Sequence, residues 1–163
     1  MKVIDKSGNS SEEFAHIDWY ACFIAGTKVL TETGMKNIED IKIGEKVYTI
    51  NLDNNQKELK EVIDFYSGVS DEIFEITVNG EIIQATPRHQ FYIIDKGWIR
   101  AYELEEGDMI SSTGEKMKIN KIEQKYYLEK VPVYNLTVEG NHNYLITEYE
   151  LLVHNAASPA SEE

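Results

Sequence analysis

The chain has little thiol chemistry to offer: among its 163 residues Cys22 is the only cysteine. No intramolecular disulfide is possible, and a cysteine-rich metal site is excluded. Long apolar runs are missing too, since no stretch approaches the ~20 residues of a membrane span. The N-terminal MKVIDKSGNSSEEF has no apolar h-region, so no signal peptide is expected. Basic clusters are also absent. Lys and Arg number 16 against 29 Asp and Glu, and the formal net charge of −13 repels phosphate backbones and argues against a nucleic-acid partner. What remains is 42% hydrophobic and 28% charged, the balance of a globular chain long enough to bury one core. A monomer without membrane or nucleic-acid partners is expected.

The middle of the chain reads as short β segments punctuated by turns. KVLTETGMKNI carries Thr33-Gly34 at a hairpin tip. In EKVYTINLDNN, Val47, Thr49 and Asn51 alternate with Tyr48, Ile50 and Leu52 before an Asn-rich turn. EIFEITVNGEIIQAT gives the strongest local signal, two strands joined by Asn79-Gly80, a pair favoured in type I′ turns. WIRAYEL, KMKINKIEQKYY, VPVYNLTV, HNYLITE and YELLVH continue in that style. Helical spacing occurs only in Ser11–Trp19 and Tyr102–Leu104, residues 1 to about 20 are polar apart from Phe14–Tyr20, and AASPASEE reads as a tail. The fold class expected is all-β.

The chain also repeats itself. Ile41-Lys42-Ile43-Gly44-Glu45-Lys46-Val47 aligns with Leu104-Glu105-Glu106-Gly107-Asp108-Met109-Ile110. Ile73–Gly80 aligns with Val133–Gly140, and His89–Ile93 with His142–Ile146, in the same order. Two β subdomains related by a pseudo-twofold axis follow, with His89 and His142 expected to face a common centre.

Four features carry chemistry: Cys22 at the mouth of the first strand, Thr86-Pro87-Arg88-His89 after a strand, His142, and His154-Asn155 before the tail. A thiol is nucleophilic even when mostly protonated, and the carbonyl nearest Cys22 is that of Ala21. Attack there shifts the Ala21–Cys22 amide to a thioester. The leaving nitrogen needs a proton, and His89 is the candidate acid. Thr86 is placed to hydrogen-bond the amide or to help hold the oxyanion. An Asn side chain attacks its own backbone carbonyl only slowly without help, closing a succinimide. His154 adjoins the Asn155 carbonyl, and His142 reaches it if the repeat geometry holds.

Singly, each residue has a plainer reading. A lone thiol is usually a small buried hydrophobe, a strand histidine such as His16 a structural residue, Thr86-Pro87 a turn initiator and Asn155 a strand end. A thiol at one border, His-Asn at the other and Thr-x-x-His between them form a specific constellation.

These motifs resemble the intein and Hint superfamily, and most closely bacterial intein-like domains of the A type. CFIAGTKVLTETG resembles the N-terminal splicing motif, ATPRHQFYI the Thr-x-x-His motif, and VYNLTVEGNHNYLI with LLVHNA the two C-terminal motifs. The resemblance implies a horseshoe-like β fold over residues 22–155, flanked by extein-like segments 1–21 and 156–163. It implies Cys22 as first nucleophile, Thr86 and His89 as activators of the N-terminal junction, and His142 and His154 as assistants to Asn155. The span leaves no room for a homing-endonuclease insert, and host proteins of such domains are often secreted. Two positions depart: Ala156 stands where conventional inteins have Cys, Ser or Thr, and Asn135 where they often have Asp. Ala156 cannot take over the thioester by the usual trans-esterification, and a carboxamide neither acts as a base nor tunes the thiol as a carboxylate does.

The mechanism expected is a single-turnover splicing or self-cleavage acting on the chain's own flanks. It uses no cofactor or metal, and an external thiol or amine, or the Ala156 amine freed by Asn155, resolves the thioester. The alternatives are a hedgehog-like domain that processes one junction, and a non-catalytic β module that binds a protein ligand.

Overall fold

A computed structural model describes residues 21–112 and 116–154. Expectations placed on Ser11–Trp19, Phe14–Tyr20, His16, Asn155, Ala156 and the tail lie outside the described residues. Among those described there is no α-helix, only two single 3-10 turns, Ile38–Asp40 and Ala101–Glu103, the second overlapping the brief helical spacing read at Tyr102–Leu104.

Among the described residues twelve strands form one antiparallel, hydrogen-bonded sheet. They are β1 (Phe23–Ile24), β2 (Lys28–Thr31), β3 (Gly34–Asn37), β4 (Lys46–Asn51), β5 (Gln56–Val78), β6 (Glu81–Ala85), β7 (Gln90–Ile93), β8 (Gly97–Arg100), β9 (Met109–Ser111), β10 (Lys116–Val138), β11 (Asn143–Ile146) and β12 (Leu151–His154). The all-β expectation is met. The Asn79-Gly80 turn joins β5 to β6 with φ of 52° and 86°, the pair of positive values a type I′ turn requires.

Sequence periodicity understated two elements. β5 and β10 each run 23 residues because each changes partners along its length. β5 pairs with β4 over Gln56–Glu61, with β10 from Val62 onward, and with β6 over Phe74–Val78. KMKINKIEQKYY and VPVYNLTV are thus one strand, interrupted where the register jumps between Tyr126 and Val131. Leu128 stands fully exposed in that interruption.

The internal repeat is present in the hydrogen bonding. Gly44 and Gly107 both take φ of 98°, a left-handed conformation that suits glycine. Their N–H groups donate to Val62 and Ile119 at 2.8 and 2.9 Å, and the N–H groups of Val62 and Ile119 donate back to Glu45 and Asp108 at 2.8 Å each. Lys36 pairs with Glu45 as Lys96 pairs with Asp108. Exchanging the two copies maps the pair Val62–Val138 onto Ile119–Val78, as a twofold operation does.

Between the copies lies one core that includes Phe23, Phe91, Leu136, Tyr144 and Val153, all fully buried. Each such apolar side chain contributes about 1.5–3 kcal/mol by leaving water. Phe23 follows Cys22 directly, so burying its ring pins the start of β1 inside the protein.

Candidate active site

Register brings two of the sequence-predicted residues, Cys22 and Thr86, together at the start of β1. Phe23 pairs with Tyr134 of β10 on one side and Ala85 of β6 on the other. One step earlier in the chain, Cys22 therefore lies between Asn135 and Thr86. Cys22 is buried, packed with Ile73 and Val133.

Both ends of the Ala21–Cys22 peptide group are held. The Cys22 N–H donates to Thr86 Oγ1 at 3.0 Å, while the Thr86 N–H donates to the Cys22 carbonyl at 2.9 Å. The Ala21 carbonyl accepts from Asn135 Nδ2. Thr86 thus sits on the nitrogen side of the bond, and the donor on the carbonyl is a residue that sequence reasoning treated only as a lost carboxylate. The hint was present in the VYN position but its partner was not: contact between residues 21 and 135 exists only through the β1–β10 register.

His89 is fully buried, its ring centroid 3.8 Å from that of Phe23 and 5.8 Å from that of Phe91. Neither ring nitrogen completes a hydrogen bond among the described residues. Burial, and secondly the nearby His154, push its pKa down from 6.5 to about 3, against a smaller upward pull from the backbone of His154 and of Cys22. His89 is therefore neutral near pH 7 and lies beside both ends of the β region.

His154 ends β12, half-buried, with its ring edge-on to Trp98 at 4.9 Å. Its register partner is Asn143, whose carboxamide bridges to β4 by bonding both the N–H and the C=O of Ile50 at 2.9 Å. His142 precedes Asn143 and differs from its counterpart in the repeat: it is exposed, on a turn, with φ of 61°. His89 and His142 thus do not share one buried centre. The first lies under Phe23, whereas the second is lifted onto the surface beside the end of β12.

The low pKa of His89 has a consequence for stability. The unfolded chain binds the proton near pH 6.5 and the folded one only near 3, so acid favours unfolding across that window. From pH 7 to pH 4 this single group should remove about 3 kcal/mol of stability. Urea unfolding at both pH values should show that loss in the wild type and a smaller one in His89→Leu. Equal losses would mean that His89 is not buried neutral.

The sequence family described as the pretoxin HINT domain matches residues 28–156. That match covers most of the chain. This chain belongs to the pretoxin HINT family. A bacterial intein-like domain from Clostridium thermocellum is 35% identical, covering 82% of this chain and 98% of that one, with a TM-score of 0.79. The DnaB intein of Synechocystis sp. PCC 6803 shares the fold at 21% identity and a TM-score of 0.71, over 84% and 99% of the two chains. The gp41-1 intein is 26% identical over 83% of this chain and 98% of its own, at 0.68. Warthog protein 6 of Caenorhabditis elegans is 37% identical over 78 residues, 45% of this chain and 13% of that protein. This HINT chain thus has the intein fold, the fold of self-processing domains. Among the described residues no three His, Cys, Asp or Glu side chains cluster as metal ligands, and no helix is long and apolar enough to cross a membrane.

Proposed function

We propose that this HINT domain processes its own backbone at two junctions, after Ala21 and after Asn155. In the first step the Cys22 thiol loses its proton and its sulfur bonds to the Ala21 carbonyl carbon. The C=O electron pair moves to oxygen, then returns as the C–N bond breaks, and the Cys22 nitrogen leaves protonated. The product is a thioester between residue 21 and Sγ. Neutral His89 offers one ring nitrogen as acceptor for the thiol proton and then, charged, as donor to the amide nitrogen. Thr86, already bonded to that nitrogen, keeps its lone pair directed for protonation.

In the second step the Asn155 side-chain nitrogen attacks its own carbonyl, closing a succinimide and freeing the Ala156 amine, with His154 and His142 assisting. That amine attacks the thioester carbonyl carbon, the C–S bond breaks and the sulfur leaves as the Cys22 thiol, joining residue 21 to 156. Where water or an added thiol arrives first, two cleavages result. The observation that supports the proposal is His89 packed against Phe23, the residue after Cys22, and near Phe91, whose register partner Val153 precedes His154.

Incubating purified precursor with and without a thiol and weighing the products tests it. The expected masses are a 1–21 fragment released by thiol, a tail fragment starting at Ala156, and the ligated flank peptide. An intact mass throughout would favour a non-catalytic binding module. A second reading has support in Ala156, which offers no side-chain nucleophile: a domain that hands one thioester to an external nucleophile. It predicts cleavage after Ala21 that Asn155→Ala leaves unchanged, and no tail fragment.

A further inference from the structure

Asn135 is fully buried in β10, in the strand step opposite Cys22. Its carboxamide makes three contacts: Oδ1 accepts from the Leu136 N–H at 2.7 Å and from the Tyr144 hydroxyl at 2.5 Å, while Nδ2 donates to the Ala21 carbonyl. The orientation of the amide is decided by chemistry. A backbone N–H can only donate and a backbone carbonyl can only accept, so a flipped amide would set N–H against N–H and oxygen against oxygen.

We propose that Asn135 is a catalytic residue for the N-terminal junction, an oxyanion donor to the Ala21 carbonyl, with Tyr144 as its positioning residue. This deepens the processing reading above and rests on it.

As sulfur adds to the carbonyl carbon, the Ala21 oxygen takes on negative charge. Nδ2 keeps its proton throughout and supplies a hydrogen bond that strengthens as that charge grows. Its geometry is set beforehand, because Leu136 and Tyr144 hold the other end of the amide. Burial, and secondly the proximity of Cys22, push the Tyr144 phenol well above its usual pKa of 10.0, so it stays a donor through the whole working pH range. A donated proton on Oδ1 also polarises the amide and makes Nδ2–H the stronger donor. A carboxylate at position 135 would reverse this arrangement, placing an acceptor against the carbonyl oxygen. The departure from Asp thus exchanges a group that can act as a base for one that can stabilise an oxyanion.

The test measures both chemistry and the hydrogen bond. Because Cys22 is the sole cysteine, labelling Ala with carbonyl 13C and Cys with 15N leaves one 13C–15N correlation, that of the Ala21–Cys22 amide. Asn135→Ala should slow thiol-induced cleavage after Ala21 by about 10²-fold or more. Tyr144→Phe, which keeps the buried ring, should slow it by about 10-fold. Both should move the Ala21 carbonyl resonance upfield, and both should leave cleavage after Asn155 near the wild-type rate, which also shows that they fold. Asn135→Asp should be slowed at least as much as Asn135→Ala at neutral pH. Wild-type rates in the three variants with an unmoved resonance would overturn the donor role alone. Faster cleavage in Asn135→Asp would show that position 135 works better as a base. No thiol-induced cleavage in the wild type would instead defeat the processing reading itself, and the donor role with it.

Discussion

Replacing Cys22 with Ala should abolish cleavage after Ala21 and all ligation, while cleavage after Asn155 should continue. Among the described residues at this peptide group, Thr86 Oγ1 accepts from the amide nitrogen and Asn135 donates to the carbonyl oxygen, which leaves the adjoining Cys22 thiol as the nucleophile in this reading. Deleting one buried atom between Ile73 and Val133 costs on the order of 1 kcal/mol. That is small beside the usual stability of about 5–15 kcal/mol. The expected loss is therefore chemical rather than structural. Asn155→Ala should give the mirror result, with thiol-dependent release of residues 1–21 and no tail fragment. Mass spectrometry of the two precursors side by side checks both. Equal loss at both junctions in both variants would point to unfolding and remove the argument.

His89→Ala should slow cleavage after Ala21 by about 10²–10⁴-fold, the usual contribution of a placed acid–base group. Two effects compete in this variant. Removing a fully buried ring from beneath Phe23 leaves a cavity, with a stability cost of about 2–5 kcal/mol by analogy with other large-to-small core changes. Removing the imidazole also removes the proton carrier. His89→Leu separates them, because it fills most of the space and carries no proton. The rate after Ala21 should be equally low in both variants, whereas only His89→Ala should melt much earlier. A His89→Leu rate close to wild type would assign His89 to packing.

Much of this was legible in the residues themselves, and the reasons differ from element to element. The turn at Asn79-Gly80 is local chemistry, two residues that tolerate positive φ, so the β5–β6 hairpin could be read directly. The repeat was legible because Gly44 and Gly107 must each adopt the same left-handed conformation. The length of β5 and β10 was hidden. A strand that exchanges β4 for β10 along its course meets two different environments, and its hydrophobic alternation loses phase. The site divides in the same way. Cys22, Thr86 and His89 stood out as residue types at motif spacing, and the β1–β6 pairing joins the first two. The Asn135–Tyr144 pair was invisible, because Ala21 and Asn135 are neighbours only through register. His89 was expected as a ready acid. Its burial makes it neutral, so it must first gain a proton, from the thiol or as charge develops, before it can give one.

Processing at the first junction would turn on one bond, that between the Cys22 sulfur and the Ala21 carbonyl carbon. Hydroxylamine at neutral pH cleaves thioesters and leaves amides largely intact, so it captures that bond directly. Wild-type precursor should release residues 1–21 bearing a C-terminal hydroxamate, and Cys22→Ala should release none. A wild-type chain that stays intact in hydroxylamine, or one cut at the same place without Cys22, would contradict the account.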